Sequence, residues 1–522
     1  MRLFHRRAAK LSAVAAAFAL TLTACSGGGS EQGSNDGGGS DAPAKDTITA
    51  QVAYAGLKFD PATTSGALAL GANWHVTEGL YNLDMTTFEA YPALADGDPE
   101  KVSDTEYKVK LRSDAKFSTG DPVTAEDVVA SFGKTTAEGT LYVSMLDFID
   151  SMEAGDGEVT VKLAKPFPLV KERLSLVRVT PASATEEEMT AKPIGSGPWK
   201  YAEITEQVVK FEKNEHYNGP KPAIANNMVW NVNVDDTARV TAMQQGDTDV
   251  MENVPAKAFK TLEGSGAQIE TVQGFNQAFV MFNTKNAPFD NPKVRQAVLY
   301  AIDVQKLIDN QMEGQAEAAT SFLPKNFANY HEAKNVFTYD VEKAKALLAE
   351  AGVTTPISTT LYTTDHKWIT DLAPQVKNNL AEIGINVDIQ SMKSAALYPE
   401  ITDKDDADYT MMMAPGDPSV FGNDPDLLMN WWYGDNVWTK QRSFWNGSDG
   451  YNQLHAAMDK AIAAEGDAQQ QAWNECFDIL SDEVPLYPLF HRKVSTAIKQ
   501  DVFSEYKALG TTGLSFLDAK LK

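Results

Sequence analysis

Residues 228–251 read MVWNVNVDDTARVTAMQQGDTDVM, and the fold class turns on this stretch. Met228, Trp230, Val232 and Val234 recur at every second position, the period of a strand with one buried face. Asp235 or Asp236 can then cap a helix that ends at Gly246, and Asp249-Val250-Met251 resumes as strand. The unit is strand, helix, strand, most simply parallel. It recurs downstream. Asp340 caps a helix through Ala344, Leu347 and Leu348 to Gly352, and strand Ile357–Leu361 follows. A helix near 368–382, Gly384 and a strand through Ile385, Val387 and Ile389 complete the second unit. Earlier in the chain Tyr107, Val109 and Leu111 alternate, as do Val159, Val161 and Leu163, and Thr124 with Asp127 makes a capping box before Val128, Val129 and Phe132. An α/β protein of two lobes is expected, because each set of units needs its own sheet with covered faces.

The 522 residues carry 43% apolar side chains, enough for more than one core, and the length suggests roughly two to four domains. Lys and Arg number 46 against 71 Asp and Glu, a formal charge of -25. After Lys10 no Lys/Arg-rich run occurs, which argues against nucleic acid, since a polyanion is held by clustered cations. Cys25 and Cys476 are the two cysteines, too few for a disulfide scaffold or a Cys-based zinc site. The seven histidines are scattered without a close pair, so neither a metal nor a cofactor is expected.

Residues 1–24 have the order of a secretory signal: Arg2, Arg6, Arg7 and Lys10, then the Ala-rich apolar run Leu11–Leu22, then small residues. That run is short for a membrane span, which takes about 20 apolar residues. Leu22-Thr23-Ala24-Cys25 resembles a bacterial lipobox, whose cysteine thiol is acylated and becomes the new N-terminus. Residues 26–40 read SGGGSEQGSNDGGGS, a composition that cannot bury enough apolar surface to fold. A tether of about 20 such residues averages about 25 Å end to end. The expectation for 25–45 is a lipidated cysteine and flexible linker that holds the body outside the cytoplasm, just off the cell membrane.

Several stretches together carry a family resemblance: Glu78-Gly79-Leu80, Pro92-Ala93-Leu94-Ala95, LRSDAKFSTGDPVTAEDVVASF at 111–132, PIGSGPW at 193–199, NEHYNGPKP at 214–222 and FNTKNAPFDNPKVRQAVLYAID at 282–303. The chain resembles the extracytoplasmic solute-binding proteins of ATP-binding-cassette importers, of the large peptide-binding type, solute-binding family 5. Ser196 and Trp199 depart from the Thr and Tyr more usual there. The resemblance implies a two-lobed periplasmic-binding-protein fold with a hinge. Lobe I would take 46–285 and 490–522, with an inserted subdomain at about 85–192, and lobe II 286–489. It also implies a monomer that passes a small ligand to a separate permease and ATPase. Di- or oligopeptide is the leading ligand class and oligosaccharide the alternative.

Catalytic patterns are weak by comparison. GxSxG, HExxH and GxxxxGK[ST] do not occur. Ser113-Asp114-Ala115-Lys116 fits the S-x-x-K signature but follows a strand inside the fold-defining LR…F…G stretch. Gly195-Ser196-Gly197 has Pro198 where a phosphate-binding helix would begin, and reads as a structural turn. His455 and His491 read as packing or surface residues, and Cys476 as a buried residue on a helix. An anchored hydrolase is therefore the lesser alternative, and no catalytic residue is assigned.

Aromatic density says more. Trp431, Trp432, Trp438 and Trp445 are four of the chain's nine tryptophans, accompanied by Phe421, Tyr433 and Phe444 and separated by polar segments that read as loops. Loops would leave ring faces near the surface, so Trp431 and Trp438 are expected to line the ligand site, with core packing the competing reading. Just before them lies the turn Ala414-Pro415-Gly416-Asp417-Pro418-Ser419. By resemblance Asp417, with Gly416 beside it, would receive a ligand's α-amino group, because a buried ammonium needs an ionised partner. Asp before Pro also simply favours a turn, and Pro415 has no N–H to offer a peptide main chain. No arginine lies between Arg295 and Arg442 to take a ligand carboxylate.

Replacing Cys25 by Ala is expected to release unprocessed or soluble protein from the membrane fraction. Unchanged membrane binding, together with a mature wild-type mass lacking acyl chains, would refute the anchor.

Overall fold

A computed structural model describes residues 45–522. The expected signal (1–24), Cys25 and the linker as far as residue 44 lie outside the described residues. Among the described residues no helix is long and apolar enough to cross a membrane.

The strand-helix-strand unit forms as the sequence implies. Strand Asn227–Val232 leads to helix Asp236–Gln245, whose first turn is capped by the Asp235 side chain accepting from the Ala238 amide, and Val250–Met251 follows. Both strands run parallel to Thr47–Val52, which lies between them. The second unit also forms: Asp340 caps helix Val341–Glu350, and strands Ile357–Thr364 and Ile385–Met392 pair in parallel about helix Lys367–Glu382. Thr124 and Asp127 make the reciprocal capping box of helix Ala125–Thr135.

One feature differs from expectation. The two sets of units do not keep separate sheets. They merge into a single 11-stranded sheet whose centre is the antiparallel pair Ala267–Phe282 and Leu486–Lys499. On one side of this pair come Met411–Gly416, Ile357–Thr364 and Ile385–Met392. On the other come Val250–Met251, Thr47–Val52, Asn227–Val232, Val208–Lys213 and Trp199–Ile204, and Ala316–Ala318, the eleventh strand, pairs with part of Leu486–Lys499. The last nine residues of Ala267–Phe282 are buried, so this strand shows no alternation of apolar and polar residues. A separate four-stranded antiparallel sheet, Glu100–Ser103, Glu106–Lys110, Glu158–Leu163 and Ile149–Ala154, lies within residues 85–192.

The C-terminal segment closes the structure. His75 is fully buried; its Nε2 accepts the Phe516 amide at 3.0 Å, so its Nδ1 donates to the Gly71 carbonyl at 2.9 Å. Burial pushes this imidazole down to about 4, so it is neutral at neutral pH. Ser196, in the turn before Pro198, is also buried, donating to Glu78 Oε2 at 2.8 Å, while the Gly197 amide bonds the Val76 carbonyl. Cys476 is buried on helix Gly466–Glu483, as its pattern implies.

The central pair is irregular between Gln273 and Gln277. Here Gly274 approaches the C-terminal segment so closely that an added Cβ would lie 1.6 Å from the Gly510 carbonyl oxygen. Gly274→Ala must push backbone from backbone, and overpacking of this kind costs about 1–3 kcal/mol. Thermal unfolding is expected to show a lowered Tm. An unchanged Tm would mean that the Gly510 loop yields freely.

Candidate functional site

Ligands of open α/β sheets bind beyond the carboxyl ends of parallel strands. In this chain those ends converge from both sides of the central pair. Beyond Thr47–Val52 lie Ala53 and Tyr54, and beyond Val250–Met251 lie Glu252 and Asn253. From the other side come His366 and Trp368 after Ile357–Thr364, and Asp417 after Met411–Gly416. Arg492 is contributed by the central strand Leu486–Lys499.

The charges of this group are arranged around Tyr54. Arg492, Glu252 and Asp417 all act on its hydroxyl, and burial raises its pKa above the usual range. Glu252 is buried, with Oε2 accepting from the Ala53 amide at 3.0 Å and Oε1 from the Gly513 amide at 2.8 Å. Asn253, held at φ +54, a conformation Asn tolerates better than most residues, accepts from Arg492 Nη2 at 2.9 Å. The Arg492 guanidinium lies 4.3 Å from the Trp368 ring centroid. Arg239, ion-paired with Asp236, acts on Glu252 ahead of Arg492, so Glu252, Asp417 and Asp236 stand against two guanidiniums. Burial holds both Glu252 and Asp417 above the ordinary carboxylate range despite the hydrogen bonds that favour their ionised forms.

Asp417 is half-buried, and its carboxylate is tied to the C-terminal segment. It accepts from Thr512 N at 2.9 Å, Thr512 Oγ1 at 2.8 Å and Thr511 Oγ1 at 3.2 Å, and from the amide and hydroxyl of Ser419. Gly416 pairs with Gln277, and a Cβ on it would fall 2.3 Å from the Trp432 ring. Gln277 also pairs with His491 across the sheet. Among the described residues the side-chain amide of Gln277, Asn276 Oδ1, His491 Nε2 and Arg492 Nε are buried without a hydrogen-bond partner. Buried polar atoms are seldom left so in folded proteins; here they sit on the strands beside the Asp417 turn.

Two small cavities lie nearby. One, of about 10 Å³, is lined by Tyr54, Glu252, Trp230 and Gly513 among others. The larger, about 30 Å³, lies between helix Ala67–Val76, the Ser175–Arg178 stretch and the Val420–Phe421 turn, room for about one or two waters. Arg178 is its charged lining group, bonded to Asn82 Oδ1 at 2.7 Å and the Thr77 carbonyl, with no carboxylate in ion-pair range among the described residues. Burial lowers its pKa.

The tryptophan cluster corrects the loop expectation. Asp424 caps helix Pro425–Tyr433, with Pro425 in the first turn, and Trp438–Arg442 is a helical turn as well. Trp432, Trp438 and Trp445 are consequently buried. Trp438 packs on Trp432 at 4.5 Å between centroids and on Phe279 at 5.9 Å, with Arg442 over its ring. Trp431, partly buried, lies against Phe421 at 5.1 Å, one ring removed from the larger cavity. Neither Trp431 nor Trp438 lines either cavity.

Sequence reasoning missed Tyr54, Glu252, Trp368, Arg178 and Arg492. For Tyr54 and Glu252 a signal existed, since each closely follows a strand of the parallel set. Ser113 is exposed in a connection, and burial raises the Cys476 thiol out of the reactive range. His491 is buried, with Nδ1 at 2.9 Å from the Phe275 carbonyl and its pKa pushed down to about 4. His455 Nε2 bonds the Tyr433 carbonyl. Among the described residues no group of three His, Cys, Asp or Glu could hold a metal ion.

Known proteins share this architecture. The glutathione-binding protein GsiB of Escherichia coli (strain K12) is 25% identical over 499 residues, covering 92% of this chain and 95% of its own. The periplasmic binding protein DppA from Helicobacter pylori, solved with peptide STSA, superposes with a TM-score of 0.79 at 23% identity over 91% of this chain and 98% of its own. AgaA from A. tumefaciens R10, solved with agropinic acid, gives a TM-score of 0.79 at 25% identity, covering 91% and 99%. The fold is that of the two-lobed periplasmic binding proteins. The sequence model described as bacterial extracellular solute-binding proteins, family 5 Middle, matches residues 89–445. The chain thus belongs to family 5 of the bacterial extracellular solute-binding proteins, which are ligand-binding components of ATP-binding-cassette importers and not enzymes.

Proposed function

We propose that this protein captures a short peptide outside the cytoplasm and hands it to a permease and ATPase, held at the membrane by acylated Cys25. In this reading lobe I comprises 46–285 and 490–522, with its inserted subdomain at 85–192, and lobe II comprises 286–489. The receptor acts as a monomer. The observation that carries the ligand class is the excess of carboxylate near Tyr54: Glu252, Asp417 and Asp236 against Arg492 and Arg239. A buried group with this excess attracts a cation, and a peptide's α-ammonium supplies one. Arg178 then offers a guanidinium to an anionic group of the same ligand in the larger cavity. The relatives lend support, since glutathione and STSA are both peptides. An oligosaccharide loses the stacking platform that motivated it, because Trp431 and Trp438 face other rings.

Calorimetry with free and N-acetylated di- and tripeptides tests the ammonium. Hydrogen bonds to charged groups contribute about 1.5–3 kcal/mol, so Asp417→Asn or Glu252→Gln is expected to weaken binding by about 10- to 150-fold. Acetylation should weaken the wild type by a similar factor and the double variant no further. Peptide binding indifferent to both substitutions removes the assignment, and tight cello- or xylo-oligosaccharide binding without peptide binding moves the function to sugars.

The raised carboxyl pKa values predict a pH dependence with a definite sign. A ligand ammonium favours the ionised carboxylates, so protons compete with it: affinity should fall on acidification, starting above the pH at which ordinary carboxylates titrate, and binding there should release protons. Titration in buffers of different ionisation heat measures that release. Proton uptake, or affinity that rises on acidification, contradicts the site.

A further inference from the structure

Arg173 is fully buried, as are Arg239 and Arg295, yet its bonding is of another kind. Arg239 and Arg295 are satisfied largely by backbone carbonyls. Every side-chain hydrogen bond of Arg173 goes to carboxylates at least 251 residues away in the chain. Its Nη1 and Nη2 donate to the two oxygens of Asp424, each at 2.7 Å, and Nη2 also donates to Asp426 Oδ2 at 2.9 Å. Its ring contact, Phe167 at 5.4 Å, comes from its own side of the seam.

The contact continues as a seam between residues 142–173 and 421–459. Lys165 pairs with Asp459. Ser144 Oγ donates to the Asn430 carbonyl and accepts from Asn436 Nδ2, both at 3.3 Å. Tyr142 meets Phe421 edge-on at 5.5 Å, and these two rings also line the larger cavity. Seam and cavity therefore share a wall.

We propose that Arg173, Asp424 and Asp426 form a charge latch that admits only one closed arrangement of the lobes over the larger cavity. The proposal rests on the two-lobed receptor reading, in which Arg173 belongs to the inserted subdomain and both aspartates to lobe II. Two neighbouring carboxylates cannot be buried ionised without a cation, and the opposite lobe brings that cation only when the seam is in register. Burial acts to raise the Asp424 carboxyl, and Arg173 outweighs it, holding the group below its usual range, while burial and the neighbouring Asp424 keep Asp426 above its own. When the lobes part, all three charges regain water. Since the attraction of a buried ion pair roughly offsets its desolvation, the triad selects a geometry more than it adds affinity. Removing Arg173 alone leaves closure facing two bare carboxylates. Neutralising all three removes that obstacle.

Hydrogen exchange read by mass spectrometry on the full, ligand-free chain tests the latch. Arg173→Met should speed exchange together in Val170–Leu174 and Pro425–Tyr433, by about tenfold or more, while Leu486–Lys499 keeps its protection. The triple variant Arg173→Met/Asp424→Asn/Asp426→Asn, which retains a capping side chain at 424, should restore protection in both segments. Wild-type exchange in Arg173→Met would overturn the latch. So would loss of protection that spreads to Leu486–Lys499 and is not restored in the triple variant, since Arg173 would then be needed for folding. No ligand enters this measurement, so its failure is distinct from a failure to bind peptide.

Discussion

The pairing of Ala267–Phe282 with Leu486–Lys499 is the constraint on which the rest of the structure depends. These strands, 16 and 14 residues long, are the middle of the sheet, and every other main-sheet strand is added outward from them or paired along their length. Split at this seam, each half would expose a bare edge. Joined, the halves share a ladder whose register shifts between Gln273 and Gln277, where the bulged backbone meets Gly510, and again between Ala278 and Phe279. Arg492 lies opposite that break, two residues from Phe490, the partner of Ala278. The site thus lies beside the irregular point of the sheet.

Two carboxylate pairs show how the same electrostatics serves different ends. Asp424 and Asp426 find their counter-charge within the protein, Asp424 in bidentate geometry and Asp426 through one hydrogen bond. Glu252 and Asp417 lack such an ion pair: Arg492 is engaged with Asn253 and stacked on Trp368, Arg239 is paired with Asp236, and burial keeps both acids, like Asp426, above their ordinary range. The first pair is complete without a ligand. The second is left with an excess of negative charge that favours a cation.

What could be read from the chain was local. The Thr124–Asp127 box, the Asp235 and Asp340 caps and the strands beginning at Ile357 and Ile385 formed as their neighbours in sequence dictate. Helix Pro425–Tyr433 was legible too, through Asp424 and Pro425, but its density of aromatic residues between polar segments masked the cap. The central pair was not legible: its strands are more than 200 residues apart and buried on both faces, which erases the period-two signal. Arg492 escaped for the same reason: ordinary in its own neighbourhood, it becomes part of a site only through a pairing no local pattern encodes. Glu252 did carry a local sign, its place just after a strand of the parallel set. Asp417 was reached through resemblance, and its bonds to Thr511 and Thr512 had no trace in its own segment.

The burial of Cys476 has a bearing on life outside a reducing cytoplasm. Its thiol is fully covered and its ionisation suppressed, and the thiolate is the form that oxidants and disulfides attack. The only other sulfhydryl in the sequence is Cys25. The folded body can therefore meet an oxidising milieu without catalysed disulfide formation, without cross-linking to a neighbour and without climbing the sulfenic-to-sulfonic series. Its durability there depends on its buried core and not on covalent staples.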